Sequence, residues 1–145
     1  MRWILTMLLC VALPATGISS GAMRFDGSDD FIDLGDVGDG VYEQTISAWV
    51  YSNVNNDYKY IISKYDGTSG AGKSFYLRPQ NSGKLYWIVY TGTTPSHQAI
   101  ETDNIVITNE NWHHVVVTYD SSPLTQKIYV DGVEVPSSVS SSAEL

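Results

Sequence analysis

From residue 21 onward, apolar residues come in short runs rich in aromatic and β-branched side chains, with glycine, asparagine and aspartate standing between the runs. No stretch keeps a helical period. Runs of this kind predict strands, here near Met23–Phe25, Phe31–Leu34, Thr45–Tyr51, Tyr58–Tyr65, Ser74–Arg78, Lys84–Tyr90, Gln98–Ile107, Trp112–Tyr119 and Gln126–Val130. "VDGVEV" (Val130–Val135) adds a tight hairpin, with Asp131 and Gly132 suited to a type I′ turn. Many short strands with glycine-rich turns predict an all-β antiparallel sandwich or barrel. "TISAWVY" and "LYWIVY" are apolar on both faces. One face of a two-layer sandwich enters the core, so the other must be covered or put to use.

The first 20 residues read differently. Arg2 supplies an early positive charge, an apolar run follows from Trp3 to Leu13, Pro14 breaks it, and small residues come next. This is the layout of a secretory signal peptide, cleaved after Gly17 or Ser20. The apolar run is shorter than the roughly 20 residues of a membrane span. "LPATG" (Leu13–Gly17) matches a sortase anchoring signal, but such a signal precedes an apolar stretch and here follows one, so the match is chance. The one cysteine, Cys10, lies within the leader, behind Leu9 where a lipoprotein anchor needs a small residue. The expected mature chain has no cysteine, and its stability must come from its core, helped at most by metal.

The chain's 145 residues suit one domain. Its formal net charge of −8 becomes −9 once Arg2 is removed, which makes nucleic acid a poor partner. "GTSGAGKS" (Gly67–Ser74) spells the phosphate-cradling pattern G-x-x-x-x-G-K-S. That pattern needs a helix directly after it, whose N-terminus faces the phosphates. "FYLRPQNSGKLYWIVY" follows instead, with Pro79 and two strand-like runs. The glycines are those of a hairpin loop, and no nucleotide is expected.

"AMRFDGSDDFIDLGD", "QTISAWVYS", "IISKYDG", "SFYLRP", "NWHHVVVTYD" and "QKIYVDGVEV", in this order and at these separations, resemble the laminin G-like, concanavalin A-like lectin/glucanase domain. The resemblance covers nearly all of the chain after Gly21. It implies a jelly-roll sandwich of two antiparallel sheets, secreted, which binds carbohydrate or protein and often uses calcium. Such domains normally continue past the "VDG" hairpin into further strands, whereas this sequence goes on as "PSSVSSSAEL". The expected division is a signal peptide over 1–20, a sandwich over 21–136 that lacks its C-terminal strands, and a serine-rich frayed tail over 137–145.

The resemblance also bears on an acidic cluster of Asp26, Asp29, Asp30, Asp33, Asp36 and Asp39. Hard cations such as calcium take several oxygen ligands. Asp33, Asp36 and Asp39 are spaced by three, which excludes a standard EF-hand loop with acids at every second position. In related domains an aspartate at the "F-D-G" turn helps hold calcium, a role that carries over onto Asp26. The competing reading is that each aspartate serves a turn by bonding its own backbone.

His113 and His114 of "NWHH" point to opposite faces of a strand and cannot clamp one ion. His114 shares its face with Trp112 and Val116 and reads as a hydrogen-bonded, partly buried histidine. Glucanases of this fold use carboxylates alternating along one strand. Only "ETDNIV" comes near, and it has Thr102 and Asn104 at the apolar positions and no second Glu. Sugar binding would use aromatic platforms with polar groups at their rim. Tyr76 and Arg78 share one strand face and Tyr86 and Tyr90 another, and a hairpin brings the two faces side by side; the competing role is to cover the sheet's second face. The expectation is a secreted, non-catalytic module for a glycan or an extracellular protein, with calcium as its cofactor. The alternatives are a fragment of a multidomain glycoside hydrolase and a structural adhesion protein.

Overall fold

A computed structural model of the chain describes residues 21–26, 28–35, 37–38, 42–52, 59–65, 73–80, 82–90 and 97–140. The expected signal peptide, the loop glycines of "GTSGAGKS", Asp36, Asp39 and the last five residues lie outside them. The strands are β1 (Glu43–Tyr51), β2 (Ile62–Tyr65), β3 (Lys73–Pro79), β4 (Leu85–Tyr90), β5 (His97–Thr102), β6 (Trp112–Ser121), β7 (Leu124–Val130), β8 (Val133–Glu134) and β9 (Ser137–Val139). No helix occurs among the described residues.

Two antiparallel sheets result, a four-stranded one in the order β1-β6-β7-β8 and a five-stranded one in the order β2-β3-β4-β5-β9. Together they form a jelly-roll β-sandwich. Strand alternation decides what lies between them, since successive side chains take opposite faces. Ile46 of β1, Val115, Val117 and Tyr119 of β6, and Ile128 and Val130 of β7 are buried against Phe75 and Leu77 of β3 and Leu85, Trp87 and Val89 of β4. Each fully buried aliphatic or aromatic side chain stabilises the fold by about 1.5–3 kcal/mol. The β7–β8 hairpin turns at Asp131 and Gly132, whose φ angles of 52° and 83° are both positive, as a type I′ turn requires.

Three expectations about the strands need correction. Met23–Phe25 and Phe31–Leu34 form no strand, and Met23, Phe25 and Phe31 are exposed. These pieces carry the apolar residues of a strand, but no neighbouring strand pairs with them among the described residues. The strand expected to run to Ile107 stops at Thr102. There the buried Thr102 hydroxyl accepts the N–H of Leu85 and donates to the carbonyl of Asn104, folding the chain out of the ladder.

The third correction concerns the tail expected to fray from residue 137. Ser137–Val139 form β9, paired with Thr102, Glu101 and Ile100 of β5. Asp103 N–H donates to the Pro136 carbonyl, Ser138 Oγ donates to Asp103 Oδ1, and Ser140 N–H donates to the Ala99 carbonyl. Serine lacks apolar surface, which made the segment read as solvated. Ladder pairing needs only backbone N–H and C=O, and β5 would otherwise leave that edge open.

Candidate functional site

Tyr76 and Arg78 of β3 lie beside Ile88 and Tyr86 of β4, with registers Tyr76↔Ile88 and Arg78↔Tyr86. Because Phe75, Leu77, Leu85, Trp87 and Val89 take the core face, Tyr76, Arg78, Tyr86, Ile88 and Tyr90 share the outer face of the five-stranded sheet. The Tyr76 and Tyr86 rings stack with centroids 5.9 Å apart and planes 28° apart. The Arg78 guanidinium carbon stands 5.8 Å from the Tyr76 centroid and 5.4 Å from that of Tyr86. A guanidinium within about 6 Å of a ring is attracted by its quadrupole, so Arg78 is fixed over both tyrosines.

These four residues are not equally open. Tyr76 and Tyr86 are 6% and 2% exposed and form a buried floor with Ile88 and Ala99, whereas Arg78 and Tyr90 are half-buried. Three neighbours complete the face. Tyr60 meets Tyr76 edge-on at 5.2 Å, and His97 of β5 meets Tyr90 at 5.7 Å. Glu101, opposite Tyr86 in the ladder, contacts Lys84 at 3.4 Å and accepts a bond from Gln80 Nε2 at 3.1 Å. Tyr60, His97 and Glu101 carry no pattern that marks them in the sequence. The β4–β5 register, which pairs Tyr90 with His97 and Tyr86 with Glu101, brings in the last two, and the pairing of β2 with β3 brings in Tyr60.

Asp26 lies elsewhere, on the exposed segment before β1. Ligand oxygens of Asp26, Asp29 and Asp30 fall within 4.8 Å of one another, and all three residues are exposed. Carboxylate oxygens suit a hard cation, but calcium takes about 6–8 ligands, so backbone carbonyls or water would have to supply the rest. The same carboxylates also serve turns. Asp26 Oδ1 accepts the Ser28 N–H at 2.7 Å, Asp30 Oδ2 accepts the Asp26 N–H at 2.9 Å, and Asp33 Oδ1 accepts the Gly35 N–H at 2.8 Å.

The two histidines separate as strand alternation requires. His114 is half-buried on the outer face of the four-stranded sheet, its Nε2 2.8 Å from Ser47 Oγ. On the other face, His113 Nε2 accepts the Thr108 N–H at 3.1 Å, and Nδ1 lies 2.8 Å from Asp131 Oδ2. With Thr108 Oγ1 also 2.9 Å from Nε2, the chain Thr108–His113–Asp131 has the order of a hydroxyl–imidazole–carboxylate relay. The backbone N–H of Thr108 shares the Nε2 lone pair, so the imidazole ties the loop before β6 to the turn after β7. Asp131 is held below the usual aspartate range, first by the His113 bond and then by the His114 N–H.

Lys73 and Ser74, which close "GTSGAGKS", begin strand β3 and not a helix, so the helix N-terminus a phosphate loop requires is missing. Over residues 26–145 the chain matches the family model described as "Concanavalin A-like lectin/glucanases superfamily", of the laminin G type. No curated protein and no solved structure gives a significant match.

Proposed function

We propose that this chain, which belongs to the concanavalin A-like lectin/glucanase superfamily, is a secreted, non-catalytic module that binds carbohydrate on the outer face of its five-stranded sheet. The observation that carries the reading is Arg78 lying over the stacked rings of Tyr76 and Tyr86. A sugar presents an apolar C–H face and a rim of hydroxyls. Tyr60, Tyr90 and His97 supply ring surface of the matching kind, Glu101 accepts hydrogen bonds, and the half-buried Arg78 holds the tyrosine floor in place beneath them. Two rigid aromatic side chains beneath a planar guanidinium lose little entropy on binding, which favours affinity for a weak, neutral ligand.

Non-catalytic action is supported by the fate of the nearest carboxylate pair. Glu101 is engaged by Lys84 and Gln80, and Asp103 has left the strand to bond Ser138, so the two do not alternate along one strand toward a shared cleft. Calcium, if it takes part, would sit among Asp26, Asp29 and Asp30 and brace the segment before β1. A leader over residues 1–20 would carry the domain out of the cell, and among the described residues no helix is long and apolar enough to cross a membrane. The deciding experiment is a glycan array run with and without calcium on wild type and Arg78→Ala. At least one glycan should bind and lose signal in the variant; an array blank for the wild type in both conditions would end the carbohydrate reading.

A further inference from the structure

We propose a second glycan-binding face on the other side of the sandwich, the aromatic platform of Trp49, Tyr51, Trp112 and His114 on the outer face of the four-stranded sheet; it rests on the reading of the domain as a glycan binder. Even-numbered β1 residues face the core, which turns Ser47, Trp49 and Tyr51 outward, and on β6 the core positions of Val115 and Val117 turn Trp112 and His114 outward. Trp49, Tyr51 and Trp112 are 62%, 50% and 50% exposed. Tryptophan is on average highly buried, so two exposed indoles on adjoining strands form an unusual surface.

The ladder sets them in a two-by-two array. Trp49 pairs with His114 and Tyr51 with Trp112. Trp49 stacks on the imidazole at 5.1 Å and 26°, and Tyr51 meets Trp112 at 5.5 Å and 51°. Along each strand the two rows are roughly 7 Å apart, two residues of strand rise. His114 is tied to Ser47 Oγ at 2.8 Å, so the imidazole that supports Trp49 is itself held. The rings are therefore positioned before any ligand arrives, which lowers the cost of binding.

Charge selects the occupant. The outward positions of β1 from Thr45 to Tyr51, and of β6 from Trp112 to Thr118, hold no Lys, Arg, Asp or Glu. The whole chain carries −8. That charge opposes a second copy of the chain, an anionic lipid surface and nucleic acid alike. A neutral, polyhydroxylated ring meets no such opposition. Its apolar face lies on the indoles, and its hydroxyls reach the Ser47 and Thr45 hydroxyls and the imidazole edge.

The test uses the full chain and neutral oligosaccharides of glucose, mannose, galactose and N-acetylglucosamine, titrated by calorimetry and by tryptophan fluorescence. At least one should bind and shift the fluorescence. Trp49→Ala and Trp112→Ala should each weaken it roughly tenfold or more, the effect of truncating an aromatic anchor. Trp112→Phe, which keeps a ring, should retain most of the binding, and Arg78→Ala on the opposite sheet should leave it unchanged. If every glycan that binds is lost in Arg78→Ala and indifferent to both tryptophan variants, the second face is refuted while the first stands. If no glycan binds at all, both fail together. A dimer seen by sedimentation that Trp49→Ala dissociates, or Trp49-dependent binding to phosphatidylserine vesicles without oligosaccharide binding, would also overturn it by assigning the platform another occupant.

Discussion

His113 Nδ1 donates to Asp131 Oδ2 over 2.8 Å, while Oδ1 of the same carboxylate accepts the N–H of His114. The other ring nitrogen accepts the Thr108 N–H, which assigns the proton to Nδ1 and ties the loop before β6 to the turn after β7. A carboxyl whose folded pKa is lowered stabilises the fold above its unfolded value, near 3.9, and loses that contribution as pH falls through the folded value. Asp131→Asn tolerates the left-handed backbone and keeps one acceptor for the His114 N–H, but it removes the charge and turns an amide donor toward the His113 Nδ1–H. The variant should melt below wild type at pH 7, and calorimetry should show the gap closing below about pH 4. An undiminished gap at pH 3 would mean that charge is not what the position contributes.

Gly38 has a φ of +78°, and a Cβ there would lie 3.0 Å from Cε1 of Phe75 and 3.2 Å from Nε2 of Gln44. Gly38→Ala therefore combines backbone strain of about 1–2 kcal/mol with overpacking of about 1–3 kcal/mol. Gly35 has a φ of +69° with nothing within 4 Å, so Gly35→Ala should cost only the backbone part. Denaturant titration of the two variants separates the terms. Equal losses would show that Phe75 moves aside freely.

On the outer face of the five-stranded sheet, Tyr86 and Arg78 should part company. Tyr86 is fully packed, and Tyr86→Ala should destabilise the domain by about 3–5 kcal/mol. Arg78→Ala forfeits two cation–π contacts, about 1–2 kcal/mol together, and should leave a folded protein with weakened glycan binding. Thermal melts and array binding on the same samples compare them. A folded Arg78→Ala that binds as wild type would remove the guanidinium from the site.

Calcium should act through linkage. If it binds at Asp26, Asp29 and Asp30, free calcium a hundredfold above its dissociation constant stabilises the fold by about 2.7 kcal/mol. Asp26→Asn should lose that gain while keeping the acceptor of its turn. A melting temperature identical in calcium and in chelator, for both proteins, would exclude the site.

What could be read from the chain was what alternation controls. The core and outer faces of "SFYLRP" and "LYWIVY" follow from which residues are even or odd, and the Asp131–Gly132 turn follows from its dipeptide. What escaped depends on long-range pairing. Ser137–Val139 have no apolar signature, because their place in the sheet is fixed by the backbone of β5. His97 and Glu101 join the tyrosine face only through the register with β4, and Trp49 meets His114 only because β1 pairs with a strand far along the chain. Met23–Phe25 err in the other direction, being apolar enough for a strand and still exposed.

That last pairing sets the order of assembly. Glu43–Tyr51 join Trp112–Ser121, so closing the β1–β6 ladder encloses every residue of β2, β3, β4 and β5 in one loop. Those four strands pair each with its sequence neighbour and pay little loop entropy to meet, as do β6, β7 and β8. Contacts of long sequence separation form slowly. The two meanders are thus the early units of folding, and the ladder that carries Trp49 onto His114 is a late step, as is the pairing of β9 with β5, so that substitutions along β1 should accelerate unfolding far more than they retard folding.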